Sequence, residues 1–182
     1  MRLFTGLDLS PEVVGRLADL LERLRPAARI AWSPPENLHI TTKFIGEWPE
    51  ERLAQLKAAL DAIPEAPPIP VRVAGLGFYP TPRSPRVFWC GVEAPGLAEL
   101  AARTDAATRG LGIASEKRPY SPHLTLARIR EKTDLRKLHA RIAALEPVAL
   151  GSFEACAFFL YRSQLRPTGS VYTKLAEFPL SK

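Results

Sequence analysis

Cysteine is scarce in this sequence, and its placement excludes several classes of protein. Only two cysteines occur in 182 residues, Cys90 and Cys156, and neither belongs to a C-x-x-C pair. A zinc knuckle, a dithiol redox motif and a secreted disulfide scaffold are therefore disfavoured. Both cysteines lie in apolar runs, so we expect them to be buried strand thiols.

Long hydrophobic runs and targeting signals are lacking as well. No stretch of 18 apolar residues occurs, which argues against a membrane span. The opening Met1–Gly6 is too short and too polar for a signal peptide. We therefore expect a cytoplasmic protein that does not bind membranes.

The sequence also lacks the usual nucleotide-binding loops. There is no G-x-x-x-x-G-K-[ST] pattern, and Gly110-Leu111-Gly112 has no third glycine for a dinucleotide fingerprint. Lys43-Phe44-Ile45-Gly46 lacks the aspartate of a lysine adenylylation motif. ATP-dependent ligation is therefore disfavoured, and no cofactor is expected.

The charge is positive and dispersed. The formal net charge is +6, and the basic residues form no run of five or six like charges. A basic protein of this size is suited to a polyanionic partner. An ordinary arginine-rich, solubilising surface explains the same numbers, so charge alone leaves both interpretations open.

The pattern of apolar residues predicts an α+β fold. With 46% hydrophobic residues, the chain is long enough to bury a core as a single domain. Helical periodicity and proline or glycine boundaries predict four helices, which begin near Ser10, Pro49, Gly96 and Asp134. Predicted strands cover Leu3–Asp8, Leu38–Ile45, Val71–Phe78, Arg86–Val92, His123–Ile129, Ala149–Tyr161 and Ser170–Phe178.

The order of these elements repeats once. Each half reads as helix, strand, helix and hairpin, with the first strand left without a counterpart. We predict one bilobal domain over residues 1–182, formed by internal duplication, with halves of about 1–94 and 95–182. The lobes are expected to be pseudo-symmetric, each an antiparallel sheet with helices outside, around a central cleft, in a monomeric protein.

The most specific motif is a doubled His-x-Thr. Two of only three histidines stand in it, as His39-Ile40-Thr41 and His123-Leu124-Thr125, 84 positions apart (123 − 39). Side chains at i and i+2 of a strand share a face, so each strand offers one imidazole and one hydroxyl to the cleft. Lys43 is predicted on the face of His39 and Thr41.

Two imidazoles and two hydroxyls suit in-line displacement at phosphorus. One histidine takes a proton from the attacking oxygen while the other donates one to the leaving oxygen, and the hydroxyls bind the non-bridging oxygens. Two alternatives remain: strand histidines satisfied by the backbone, and a metal site. A metal favours nearby carboxylates or thiolates, and Glu36 and Glu47 beside the first motif have no counterpart near His123.

The doubled motif resembles the 2H phosphoesterase superfamily, and more narrowly the RNA 2′,3′-cyclic phosphodiesterases, also called 2′-5′ RNA ligases. The resemblance covers nearly the whole chain. It rests on His39-Ile40-Thr41-Thr42, on His123-Leu124-Thr125-Leu126 and on the closing segment from Leu160 to Tyr172. Thr42 stands where that family often has an apolar residue, and it is expected to face away from the cleft.

The resemblance implies metal-independent hydrolysis of an RNA-terminal 2′,3′-cyclic phosphate to a 2′-phosphomonoester, with 2′-5′ ligation as the possible reverse reaction. It implies His39 as general acid, His123 as general base, and Thr41, Thr125 and Arg128 as phosphate-binding residues. Partners would be RNA ends or small cyclic nucleotides. Alternatives are a superfamily enzyme acting on 2′-5′ oligoadenylate or small cyclic phosphates, and a non-catalytic module that binds RNA ends.

Overall fold

Two antiparallel sheets and four α-helices make up the fold in the computed structural model, which describes residues 1–145 and 147–181. The predicted α+β class is confirmed. The strands are β1 Arg2–Leu7, β2 Ala31–Trp32, β3 Ile40–Glu47, β4 Ile69–Tyr79, β5 Val87–Glu93, β6 His123–Arg128, β7 Ala149–Ala155, β8 Ala157–Arg166 and β9 Gly169–Pro179. The helices are α1 Pro11–Leu24, α2 Leu53–Asp61, α3 Leu97–Arg109 and α4 Arg136–Leu145, with short 3-10 helices at Arg25–Ala27, Pro35–Asn37 and Glu50–Arg52.

Each sheet combines strands from both ends of the chain. The first sheet has the order β3-β1-β8-β9, and the second has the order β2-β6-β5-β4-β7. The late hairpin β8–β9 thus completes the sheet of the first His-x-Thr strand. The early hairpin β4–β5 completes the sheet of the second. The two lobes therefore interlock and do not correspond to two consecutive pieces of sequence.

The first strand has a counterpart, contrary to expectation. The order β1-α1-β3-α2 recurs as β5-α3-β6-α4. In each series the first strand pairs with the strand that carries the motif, β1 with β3 and β5 with β6. Periodicity correctly paired β5 with β4, but it did not reveal that β5 also begins the second series.

Helix α1 shows how local sequence positions a core element. The Ser10 hydroxyl accepts a hydrogen bond from the Val13 amide at 3.3 Å, and Pro11 occupies the first turn, as predicted. An apolar stripe then faces the sheets, and it comprises Val13, Leu17, Leu20, Leu21 and Leu24. Burial of each such side chain contributes about 1.5–3 kcal/mol.

The predicted strand Ala149–Tyr161 is two strands in different sheets. β7 pairs with β4, whereas β8 pairs with β1 and β9. Cys156 lies at the break between them and is exposed, so its predicted burial is wrong. Cys90 on β5 is buried as predicted, and burial raises the pKa of its thiol to about 12.

Candidate active site

The first motif lies at the start of β3, on the face that β1 and β9 cover with aromatic rings. The His39 imidazole is half-buried between Phe4 and Tyr172, with ring centroids 4.6 and 5.1 Å away. Phe4 in turn stacks on Tyr161 at 4.9 Å. These rings restrict the orientation of the imidazole.

Backbone hydrogen bonding fixes the tautomer of His39. Its Nδ1 lies 2.7 Å from the carbonyl oxygen of Asn37, and its Nε2 lies 2.9 Å from the Thr41 hydroxyl oxygen. A carbonyl oxygen only accepts, so Nδ1 carries a hydrogen and donates it. The neutral ring therefore presents its lone pair at Nε2, next to the threonine of its own motif.

The second motif repeats this arrangement on β6. The Nδ1 of His123 lies 2.9 Å from the carbonyl oxygen of Ser121, again two residues earlier. His123 is exposed, and its cross-strand partner on β5 is Gly91, which has no side chain to cover it. Both histidines therefore donate their Nδ1 hydrogen to a main-chain carbonyl oxygen, and in His39 the Nε2 faces the Thr41 hydroxyl.

The two motifs are connected by one hydrogen bond and by the charges that act on His39. Burial lowers the pKa of His39, the charges of Arg128 and His123 lower it further, and the Asn37 carbonyl and Asp8 oppose them. The two imidazoles thus lie within electrostatic reach of each other. The Tyr120 hydroxyl, three residues before His123, donates to the Thr41 carbonyl oxygen at 2.8 Å.

A β-bulge in β6 places Arg128 beside the motif. Trp89 of β5 pairs with Thr125, whereas Phe88 pairs with Ala127, so Leu126 is the extra residue. Leu126 and Ala127 both lie buried. The bulge returns Arg128 to the face of Thr125, although strict alternation puts a residue five positions after His123 on the opposite face.

A second bulge, in β3, overturns the prediction for Lys43. Gly6 of β1 pairs with Thr41 and Thr5 pairs with Lys43, so Thr42 is the extra residue. The Thr42 hydroxyl lies 2.7 Å from that of Thr5 and faces away from His39, as expected. Because of the inserted residue, Lys43 also faces away from the cleft, and it is only 2% exposed.

Lys43 has a structural role on that opposite face. Its ammonium group donates to Asp105 of α3 at 2.7 Å and to the Ala114 carbonyl oxygen at 2.6 Å. Asp105 also accepts from the Glu116 amide at 3.1 Å. The hydrogen bond from Lys43 holds the pKa of the Asp105 carboxyl well below its usual range. This ion pair ties β3 to the segment that leads to Tyr120 and the second motif.

Sequence reasoning missed a polar group beside His39. Asp8, just after β1, accepts hydrogen bonds from the hydroxyl of Tyr161 on β8 and the ammonium group of Lys174 on β9. These residues border a cavity of about 260 Å³ that also contacts His39. Only the pairing of β1 with β8 and of β8 with β9 brings them together, and no local motif encodes that pairing.

The third histidine and Trp32 lie outside this site. His139 on α4 packs against Phe78, with ring centroids 4.8 Å apart, and is partly buried. The Trp32 indole N–H donates to the Ala28 carbonyl oxygen at 3.0 Å. Within residues 1–145 and 147–181, no three His, Cys, Asp or Glu side chains cluster as metal ligands. Across the same residues, no helix is long and apolar enough to cross a membrane.

Comparison with known proteins identifies the family. The family model described as LigT-like phosphoesterase matches two successive segments, residues 7–89 and 91–172. The chain is 34% identical to the RNA 2′,3′-cyclic phosphodiesterase of Methanocaldococcus jannaschii, over 98% of this chain and 100% of that protein. It is 35% identical to the Thermus thermophilus protein of the same name, over 99% and 90% of the two chains.

A solved structure agrees with these matches. The TT0787 protein of Thermus thermophilus superposes with a TM-score of 0.84 at 34% identity, covering 99% of this chain and 98% of that one. The fold and its relatives thus define a phosphoesterase of the two-histidine superfamily. The chain belongs to the LigT-like phosphoesterase family. The predicted resemblance and the predicted enzyme class are both confirmed.

Proposed function

We propose that this protein hydrolyses RNA-terminal 2′,3′-cyclic phosphates to 2′-phosphomonoesters by metal-independent acid–base catalysis. The observation that supports this most directly is the matched pair of imidazoles, each with Nδ1 hydrogen-bonded to the carbonyl oxygen two residues before it. The names of the curated relatives agree with a cyclic phosphate substrate.

The reaction assigns one proton transfer to each Nε2. His123 accepts a proton from water as the water oxygen forms its bond to phosphorus. The bond between phosphorus and the 3′ oxygen breaks on the opposite side, and His39 donates a proton to that oxygen. The product carries the phosphate on the 2′ oxygen, and the enzyme is regenerated when His123 releases its proton to solvent and His39 takes one up.

Thr41, Thr125 and Arg128 would bind the phosphate. The Thr41 hydroxyl lies beside the Nε2 of His39 and would turn from that nitrogen to a non-bridging oxygen when substrate binds. Arg128 shares a face with Thr125 and is exposed, so its guanidinium is available to an anion. Donors aimed at the developing charge of a transition state commonly contribute about 2.7–4 kcal/mol each.

The acid and base roles follow the family resemblance, and the electrostatics around His39 constrain them. Burial lowers the pKa of His39 in the free protein and favours its neutral form. The anionic cyclic phosphate favours the imidazolium, so substrate binding charges His39 for its role as acid. His123 is exposed to solvent and to the attacking water.

The same site supports RNA joining, because each proton transfer is reversible. A 5′-hydroxyl of a second RNA in place of water would give a 2′-5′ linkage, and the reaction would draw on the energy of the cyclic phosphate.

We also infer that the chain is a cytoplasmic monomer in which two duplicated halves, of about 1–94 and 95–182, form one unit. Light scattering after gel filtration measures the oligomeric state.

One experiment tests the proposal. RNA ending in a 2′,3′-cyclic phosphate is incubated with the protein in excess EDTA, and the oxygen that carries the product phosphate is identified. We expect the 2′-phosphomonoester, and we expect His39→Ala and His123→Ala each to lower kcat by about 100-fold or more. His139→Ala is the matched control, since that histidine packs against Phe78 outside the site.

Five outcomes contradict the proposal. A 3′-phosphate product would show that the 2′ oxygen leaves, contrary to the assignment. Loss of activity in EDTA would show that the reaction requires a metal. Near wild-type turnover in either motif variant removes the two-histidine mechanism. Salt-sensitive RNA binding without turnover in the wild-type protein would indicate a module that only binds RNA ends. Preferred cleavage of 2′-5′ oligoadenylate or small cyclic phosphates would indicate the superfamily alternative.

A further inference from the structure

Trp89 has a different environment from the other two tryptophans. The indole N–H groups of Trp32 and Trp48 donate to main-chain carbonyl oxygens at 3.0 Å, and both rings pack into the protein. Trp89 is half-buried, and its N–H makes no side-chain hydrogen bond among residues 1–145 and 147–181. Because every buried side-chain nitrogen and oxygen of those residues has a partner, this N–H is open to solvent. A large apolar ring is thus left partly open to solvent without a structural partner for its polar atom.

The position of Trp89 relative to the second motif is set by strand register. Trp89 on β5 pairs directly with Thr125 on β6, and directly paired residues share a face of the sheet. Trp89 therefore lies on the face of His123 and Thr125, one strand away. Its neighbour on the other side is Gly77 of β4.

Glycine makes room for this ring. A Cβ built on Gly77 would lie 2.2 Å from Cζ2 of Trp89 and 2.5 Å from Cη2, so the benzene half of the indole fills the space above the glycine backbone. A Cβ on Gly91 would lie 3.6 Å from Cζ3 of the same ring. The indole lies across the sheet between two positions without side chains, with one side against the backbone and the other towards the cleft.

Polar and basic side chains lie on the same face of the sheet, in the row next to Trp89. Tyr79 pairs with Val87, and Val87 pairs with Arg128, so this row lies next to the row of Thr125 and Trp89. Tyr79 is 50% exposed, and its hydroxyl oxygen accepts a hydrogen bond from exposed Arg118 at 2.9 Å. The face thus presents, in order, the motif, an open indole, and a tyrosine with two arginines.

We infer that this face binds the RNA strand on the 5′ side of the reacting phosphate, with the terminal base stacked on Trp89 and the next phosphate held by Arg118 beside Tyr79. Single-stranded RNA is commonly held in this way, by bases on aromatic rings and by cations on the backbone. The inference rests on the proposed function and specifies its substrate: an oligonucleotide end is preferred to a cyclic mononucleotide.

Binding and turnover are measured separately, so that failure of this inference and failure of the proposed function can be distinguished. The binding probe is a trinucleotide that carries a 2′-phosphate, the product of the proposed reaction, and the signal is tryptophan fluorescence. Stacking on Trp89 should quench part of the emission of the wild-type protein. The quench should disappear in Trp89→Phe, because only Trp32 and Trp48 remain to emit.

Turnover of a cyclic-phosphate trinucleotide and a cyclic mononucleotide separates the two contacts. Trp89→Ala should raise KM for both substrates by about tenfold, whereas Trp89→Phe should stay within about threefold of wild type because it keeps a stacking ring. Arg118→Gln should raise KM for the trinucleotide alone, and it should lower the slope of log binding constant against log salt by about one. Arg141→Gln is the matched control, since Arg141 on α4 donates to the Arg23 carbonyl oxygen away from this face.

Several outcomes overturn the inference even if hydrolysis proceeds as proposed. They are an unchanged emission when the wild-type protein is saturated with probe, a quench that survives Trp89→Phe, or unchanged KM values in a folded Trp89→Ala. Equal effects of Arg118→Gln on both substrates remove the second contact. Conversely, a quench without any hydrolysis supports the binding face and rejects the catalytic proposal.

Discussion

The hydroxyl of Tyr120 donates to the main-chain carbonyl oxygen of Thr41 at 2.8 Å, which joins the approach to the second motif to the strand of the first. Burial of Tyr120 raises the pKa of its hydroxyl, so the group stays protonated and remains a donor. The two motifs lie in different sheets, and this contact runs directly between the segments that carry them. We therefore expect Tyr120 to position the two imidazoles relative to each other.

Tyr120→Phe removes only that hydroxyl. Loss of a partly buried hydrogen bond should cost about 1 kcal/mol, or roughly 2–4 °C in Tm for a chain of this size. We expect kcat at 25 °C to fall about tenfold while KM changes little, because small displacements of catalytic groups are costly. Trp48→Phe is the control, since its indole also donates to a main-chain carbonyl at 3.0 Å. Equal kcat in the two variants contradicts a positioning role.

The sequence predicted the architecture better than the site. Helix positions followed from apolar stripes and from local signals such as Ser10-Pro11, and the doubled motif indicated the chemistry. Strand alternation failed wherever a bulge inserted a residue. It misplaced Lys43, and it supplied no reason why Arg128 shares a face with Thr125. Bulges depend on cross-strand register, which a single sequence does not display.

Contacts between distant strands were equally hidden. Asp8 meets Tyr161 and Lys174 only because β1 pairs with β8, and β8 with β9. Trp89 lay in an apolar run that reads as an ordinary core strand, and its partial exposure depends on Gly77 across the sheet. In each case the missing information is tertiary pairing, which composition and periodicity do not encode.

The pH dependence of turnover tests the assignment of His39 as the acid. Burial lowers its pKa in the free protein. As an acid it must be protonated, so kcat/KM should decline as pH rises through that lowered pKa. Bound anionic phosphate favours the imidazolium, so the same decline in kcat should occur at higher pH. If kcat and kcat/KM declined at the same pH, or if kcat declined at the lower pH, His39 would be rejected as the acid.

Two charge-removing substitutions should shift that alkaline limb in opposite directions. Arg128 lowers the pKa of His39 and Asp8 raises it. Arg128→Gln should therefore move the limb of kcat/KM to higher pH, and Asp8→Asn should move it to lower pH. Proton NMR of the imidazole in the free protein measures the same shifts without substrate. Arg128→Gln should also raise KM about tenfold through loss of its proposed charged contact with the phosphate. Shifts of the same sign in both variants would show that the limb does not report His39.

Gly77→Ala tests whether the position of the Trp89 ring above Gly77 affects substrate binding. The new Cβ would lie 2.2 Å from the indole, so the ring must move. Overpacking of this kind should cost about 1–3 kcal/mol of unfolding free energy, and KM for the trinucleotide should rise as in Trp89→Ala. Gly15→Ala on α1 is the control, because nothing lies within 4 Å of its added methyl. That change should stabilise the helix by about 1 kcal/mol. An unchanged KM in Gly77→Ala would separate the ring from substrate binding.

The buried ion pair between Lys43 and Asp105 should be essential to stability while remaining outside the chemistry. Lys43 has 1% of its side chain exposed, so Asp105→Asn removes the nearest counter-charge of a buried ammonium group and leaves only the Glu116 carboxylate, 4.0 Å away. We expect a loss of about 3–5 kcal/mol in unfolding free energy, measured by urea denaturation. Lys43→Met combined with Asp105→Leu should recover most of that loss, since an apolar pair of similar volume replaces the charges.

The same pair sets an acid limit on stability. The Asp105 pKa is lower in the folded protein than in the unfolded chain, so the unfolded state binds the proton more readily as pH falls. Its contribution is complete above the unfolded value, near pH 3.9, and is lost as pH falls through the folded value. The double variant should therefore lose less stability between about pH 5 and pH 3 than the wild type, because apolar packing that does not titrate replaces the carboxylate. An equal loss in both proteins would show that Asp105 does not govern the acid limb.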